Sequence, residues 1–76
     1  MTERLPALSS KEILRALARA GFYIHHQSGS HVQLKHRTKH HIRLTVPFHG
    51  RSLPRAVVWS ILRQAELSVE EFRALL

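Results

Sequence analysis

The chain has 76 residues, no cysteine, and 12 lysines and arginines against 5 acids, a formal charge of +7 before any of its seven histidines ionises. That length fits one domain, residues 1–76, with a modest core. The missing cysteines exclude a disulfide framework and a thiolate zinc site, and they suit a reducing cytoplasm.

The first twelve residues, MTERLPALSSKE, lack the apolar run of a signal peptide, and no stretch approaches the ~20 apolar residues of a membrane span. The expected location is therefore cytoplasmic, with no membrane partner. The segment LSSKEILRALARAGF reads as a helix with both ends marked. Ser9 and Glu12 form a capping box, and Leu8 with Ile13 forms a hydrophobic staple. Ile13, Leu14, Leu17, Ala18 and Ala20 supply an apolar side, while Lys11, Arg15 and Arg19 form a basic ridge. Gly21 suits the left-handed position past the helix end.

Three short strands are expected next. In FYIHHQ, Phe22 and Ile24 lie on one side and Tyr23 and His25 on the other. In SHVQLKH, Val32 and Leu34 oppose His31, Gln33 and Lys35. In HIRLTV, Ile42, Leu44 and Val46 oppose His41, Arg43 and Thr45. A side-chain period of two forces these partitions once the apolar sets face the core. Turns near Gly29 and at 37–39 predict an antiparallel meander. A three-residue turn at 37–39 sets Leu34 opposite Ile42, Lys35 by His41, Gln33 by Arg43 and His31 by Thr45.

Pro47 ends the third strand, because it has no N–H to give a ladder, and FHGRSL is a loop. PRAVVWSILRQA predicts a second helix, with Pro54 in its first turn and Val57, Val58, Ile61, Leu62 and Ala65 facing the core. Ser68 with Glu71 and Leu67 with Phe72 repeat the box and staple, so a short helix is expected over roughly 69–75. The order is helix, three strands, helix, short helix. It predicts a two-layer α+β domain with one sheet face covered by helices. The other face would carry His25, His31, Gln33, Lys35, His41, Arg43 and Thr45.

So basic a surface attracts polyanions, nucleic acid ahead of an acidic protein or an anionic membrane. The histidines argue against a metal site. His25-His26 and His40-His41 would point to opposite sides of a strand, there is no H-E-x-x-H, and the acids lie outside the strands. A serine triad lacks its orienting acid, since the chain has no aspartate. What remains is acid–base chemistry on a phosphodiester. RNA supplies its own nucleophile, the 2′-hydroxyl, and an imidazole that ionises near neutrality can take or give a proton. Taken alone, pattern and spacing support a small α+β domain that binds nucleic acid.

Four motifs in order add to this: LPALSSKEILRALARAGF, QSGSHVQLKH, LTVPFHG and SILRQAELSVEEF. Their most specific pieces are Ala20-Gly21-Phe22, Gly29-Ser30-His31, Val46-Pro47 with His49-Gly50, and Ser60-Ile61-Leu62-Arg63-Gln64-Ala65. Together they make nearly the whole chain resemble the HicA family of toxin–antitoxin systems. The resemblance implies a fold similar to the double-stranded-RNA-binding domain. It implies an mRNA-cleaving endoribonuclease (an mRNA interferase) that needs no metal or other cofactor. It implies His31 as the catalytic histidine and a HicB-type antitoxin that covers the RNA-binding face. On that reading Gly29 and Ser30 let the backbone approach phosphate, and Lys35, His41 and Arg43 face RNA. His41 and His49 are the candidates for the second proton-transfer group, with water as a substitute for either, His49 also reading as a loop residue that hydrogen-bonds the turn after Pro47. The chain departs from the family at Pro54-Arg55-Ala56-Val57, where Lys-Pro-Gly-Thr is usual, and at Glu66, where glycine is usual. Trp59 reads as a packing residue, an antitoxin contact or a base-stacking platform. The alternative function is a non-catalytic RNA-binding or partner-binding module of the same fold.

Overall fold

The structure is a computed structural model and describes residues 5–76; the first four residues of the MTERLPALSSKE stretch lie outside it. The elements in order are β1 (Leu8–Ser9), α1 (Ser10–Arg19), β2 (Phe22–Ser28), β3 (His31–His36), β4 (Arg43–Pro47), β5 (Ser52–Leu53), α2 (Arg55–Ala65) and α3 (Val69–Ala74). This is the expected α+β order, with β2-β3-β4 forming an antiparallel sheet around a central β3. The expected FHGRSL loop also contains β5, which pairs with β1 through Leu8↔Leu53 and Ser9↔Ser52. Two residues carry no periodicity by which to be recognised.

Both capping boxes form. The Ser9 hydroxyl accepts from the Glu12 N–H, and the Glu12 carboxylate accepts from the Ser9 N–H; Ser68 and Glu71 repeat the exchange. Each box satisfies two backbone donors that a helix start would otherwise leave open. Gly21, at φ +102°, turns the chain out of α1 into β2. α2 starts after Pro54 with no side-chain cap. It ends on Glu66 at φ 59°, ψ 38°, so a glutamate holds the left-handed position that glycine usually takes.

The core lies between the helices and one face of the sheet. Ile13, Ala16 and Leu17 of α1, Val58, Ile61 and Leu62 of α2, and Phe72 of α3 pack with Phe22, Val32, Leu34, Leu44 and Val46. Ala18, expected on the apolar side, is exposed, and Ala16 takes its place. Coverage is incomplete over the edge strand β2: Ile24 pairs with buried Leu34 but is 54% exposed.

Two expectations about register change. β3 and β4 pair as Val32↔Val46, Gln33↔Thr45, Leu34↔Leu44 and Lys35↔Arg43, two residues away from the expected Leu34–Ile42 pairing. The cause is a longer connection. His40 N–H donates to the Thr38 carbonyl and Ile42 N–H to that of Lys39, so residues 37–42 form the loop and Ile42 is buried within it. A shift of two preserves which side chains face the core. In β2, a bulge between Ile24 and His26 adds His25 as an extra residue. His26 then pairs with outward-facing Gln33, and His25 lines an outer-face cleft with the same residue. The two histidines thus share a face, contrary to the alternation expected of an unbroken strand.

Candidate functional site

The open face of the sheet carries Tyr23, His25, His26 and Ser28 from β2, His31, Gln33 and Lys35 from β3, and Arg43 and Thr45 from β4. Lys35 and Arg43 are cross-strand partners. Like charges directly opposite one another repel, and among the described residues neither has a carboxylate partner. The described acids lie at Glu12 in α1 and at Glu66, Glu70 and Glu71 near the C-terminus. A shallow cleft of about 300 Å³ runs beside the pair, lined by His25, Gln33, Lys35, Arg43 and Thr45.

His31 stands at the other end of β3, exposed, where the β2–β3 hairpin closes. Ser28 pairs with His31 across a two-residue loop whose first residue, Gly29, has φ +56°. Such tight hairpins demand positive φ there, which glycine adopts without strain. A Cβ at Gly29 would meet nothing within 4 Å, so the tip is open to close approach. The tip is also tied down. The Ser30 carbonyl accepts from Phe48 N–H at 2.7 Å, and His31 pairs with Pro47. Behind them the buried Ser10 hydroxyl donates to the Pro47 carbonyl at 2.7 Å and accepts from His49 N–H at 3.4 Å. Ser10 therefore anchors the strand end beside His31 to the first turn of α1. Nothing in its sequence context marked it out, because Ser9 already supplied the cap.

The remaining expected site residues are dispersed. His31 and Lys35 are four residues apart on one strand, roughly 13 Å, too far to grip a single phosphate. His41 lies in the 37–42 loop rather than on the sheet beside Lys35, and its Nε2 is 2.7 Å from Glu66 Oε2. His49 lines a pocket with Ser9, Lys11 and Phe48, beside the start of α1. Its backbone N–H bonds the Ser10 hydroxyl of α1, rather than its ring bonding the turn after Pro47. His36 is a structural residue: Nε2–H donates to the Ala20 carbonyl, and Nδ1 accepts from the N–H groups of Thr38 and Lys39. His40 Nε2–H donates to the Arg37 carbonyl. Trp59 on α2 is 46% exposed and is not a core anchor. Among the described residues no three of His, Cys, Asp or Glu are grouped to hold a metal ion, and no helix is long and apolar enough to cross a membrane.

The fold and its open face define a small basic α+β domain whose exposed sheet presents cations and histidines and, among the described residues, no carboxylate. A family model described as the HicA toxin of bacterial toxin-antitoxin systems matches residues 10–67. The chain belongs to this HicA toxin family, a membership that implies an antitoxin as partner. The matched stretch runs from the start of α1 through the whole β2-β3-β4 sheet to the end of α2. Comparison with curated proteins finds no match.

Proposed function

We propose that this toxin is a metal-independent endoribonuclease of the bacterial cytoplasm that cleaves mRNA, and that a HicB-type antitoxin silences it by covering the open sheet face. The observation that carries the reading is the Lys35–Arg43 pair, two facing cations with no acid partner among the described residues, on the same face as an exposed histidine at an open hairpin tip. Lys35 and Arg43 hold phosphates flanking the cleavage point. Gly29 and Ser30 give the backbone close access to the scissile phosphate, where His31 exchanges a proton. His41, bonded to Glu66 at the sheet's end, contributes to RNA binding at the edge of that surface.

The test is incubation of the purified toxin with a defined RNA in excess EDTA, followed by analysis of the new ends. A 2′,3′-cyclic phosphate and a 5′-hydroxyl are expected, because the 2′-hydroxyl is the nucleophile. Loss of cutting on chelation, restored by Mg²⁺ or Mn²⁺, overturns the mechanism in favour of metal-assisted hydrolysis. Tight RNA binding with no cutting in either buffer assigns the chain to the non-catalytic alternative.

A further inference from the structure

Transfer of the 2′-hydroxyl to phosphorus needs two proton movements. One leaves the 2′ oxygen as it bonds to phosphorus; another reaches the 5′ oxygen as its bond to phosphorus breaks. His31 can make one of them. We propose that His26 makes the other, a reading that rests on the ribonuclease assignment above.

The bulge in β2 is the reason. Strict alternation from buried Phe22 would turn His26 toward the helix side. The extra residue His25 reverses that parity, and His26 pairs with Gln33 on the outer face. Ser28 pairs with His31, so His26 is the diagonal neighbour of His31 across the hairpin. Diagonal partners of this kind lie ~7–8 Å apart with their side chains on one surface. Two imidazoles so placed can flank one phosphodiester, each within a hydrogen bond of a reacting oxygen. Bulges recur where a sheet re-aims a side chain beside an active site.

Three of the other histidines are hydrogen-bonded through their rings, and two line other clefts. His36 and His40 bond loop backbone, His41 faces Glu66, His49 lies beside the start of α1, and His25 lines the cleft next to Lys35 and Arg43. His26 is exposed, and its ring has no hydrogen-bond partner among the described residues. In the reaction one imidazole accepts the 2′ proton while the other, as imidazolium, donates its proton to the 5′ oxygen. Exchange with water then resets both.

The test is the pH dependence of RNA cleavage by the parent, His26→Gln and His26→Ala, with folding checked by circular dichroism. The parent should give a bell-shaped profile, whose two limbs belong to the histidine pair. Both variants should fold, cut roughly 10²–10⁴-fold more slowly and keep one limb only. A variant that cuts within about threefold of the parent overturns the proposal. So does a slower variant that keeps both limbs, which marks His26 as an RNA-binding or structural residue. If the parent leaves RNA intact, the ribonuclease reading falls first and this proposal with it. If only the His26 result fails while His31→Gln still abolishes cutting, that reading stands and the second group lies elsewhere.

Discussion

A Cβ built on Gly21 would lie 2.7 Å from Nε2 of His36. The two residues meet where α1 turns into β2 and β3 leaves the sheet. The ring of His36 packs edge-on to Phe22 at 4.7 Å between centroids. Its two nitrogens are taken up by Ala20, Thr38 and Lys39, so it cannot swing away without breaking hydrogen bonds. Gly21→Ala should therefore destabilise the fold by about 1–3 kcal/mol, from strain at φ +102° and from this contact. Urea denaturation measures it. In a His36→Ala background the contact disappears, and the cost of Gly21→Ala should fall toward the strain alone. Equal costs in both backgrounds would show that the contact relaxes freely.

The same corner explains what could be read from sequence and what could not. Helix starts were legible because Ser9–Glu12 and Ser68–Glu71 are local chemistry. Strand faces were legible because Val32, Leu34, Leu44 and Val46 alternate. The β3–β4 pairing was not, because Ile42 continues the alternation of Leu44 and Val46 although it belongs to the loop that His36 organises. The bulge left no trace, since His25 and His26 are both polar and give no parity signal. Lys35 and Arg43 kept their face under a two-residue shift, whereas His41 left the sheet altogether. Ile24 was expected inside because its neighbours alternate, but the extent of helix cover is a tertiary property.

Acid should weaken the fold through the two capping boxes. The Ser9 backbone N–H, and then its hydroxyl, hold the Glu12 carboxyl below the usual glutamate value; Ser68 does the same for Glu71. A lowered folded-state pKa contributes stability that is complete above the unfolded value of about 4.3 and is lost as pH falls through the folded one. Thermal melts from pH 6 to pH 2.5 should show Tm falling below about pH 4.3. Glu12→Gln with Glu71→Gln should make that limb shallower. An unchanged acid limb would place its origin elsewhere.

Glu66 sets backbone strain against an exposed ion pair. A non-glycine residue in the left-handed region costs roughly 1–2 kcal/mol, while exposed pairs such as His41–Glu66 contribute about 0–1 kcal/mol. Strain is the larger effect, so Glu66→Gly should raise stability by about 0.5 kcal/mol. Chemical denaturation gives the sign directly. A loss greater than about 1 kcal/mol would mean that the pair holds the 37–42 loop more firmly than exposed pairs generally do.

Salt dependence probes the Lys35–Arg43 pair. Each phosphate neutralised contributes about 0.7 to the slope of log affinity against log salt for single strands. Lys35→Ala and Arg43→Ala should each flatten the slope by roughly that amount. Cleavage per bound RNA should change much less, because roughly 13 Å separates Lys35 from His31. Binding measured at several salt concentrations, with single-turnover cleavage alongside, separates the two effects. A large loss of single-turnover rate with the slope unchanged would move these cations into the reaction itself.

His31 carries the sharpest prediction. It is exposed, between a glycine hairpin and Pro47, while its neighbour Val32 is buried. His31→Ala should therefore shift stability by no more than about 0.5 kcal/mol, as at other surface sites. Proton transfer is a different matter, and its loss should slow cleavage roughly 10²–10⁴-fold. RNA binding should fall far less, because lysine and arginine neutralise most of the phosphate charge. His31→Gln keeps polarity and approximate size but cannot exchange a proton near neutral pH. A folded His31→Gln protein that binds RNA and antitoxin yet neither cuts RNA nor poisons cells is the expected outcome. Cleavage by His31→Gln at close to the parent rate would remove histidine chemistry from the mechanism. Unfolding of His31→Ala would instead make the residue a structural one, despite its exposed place at the hairpin tip.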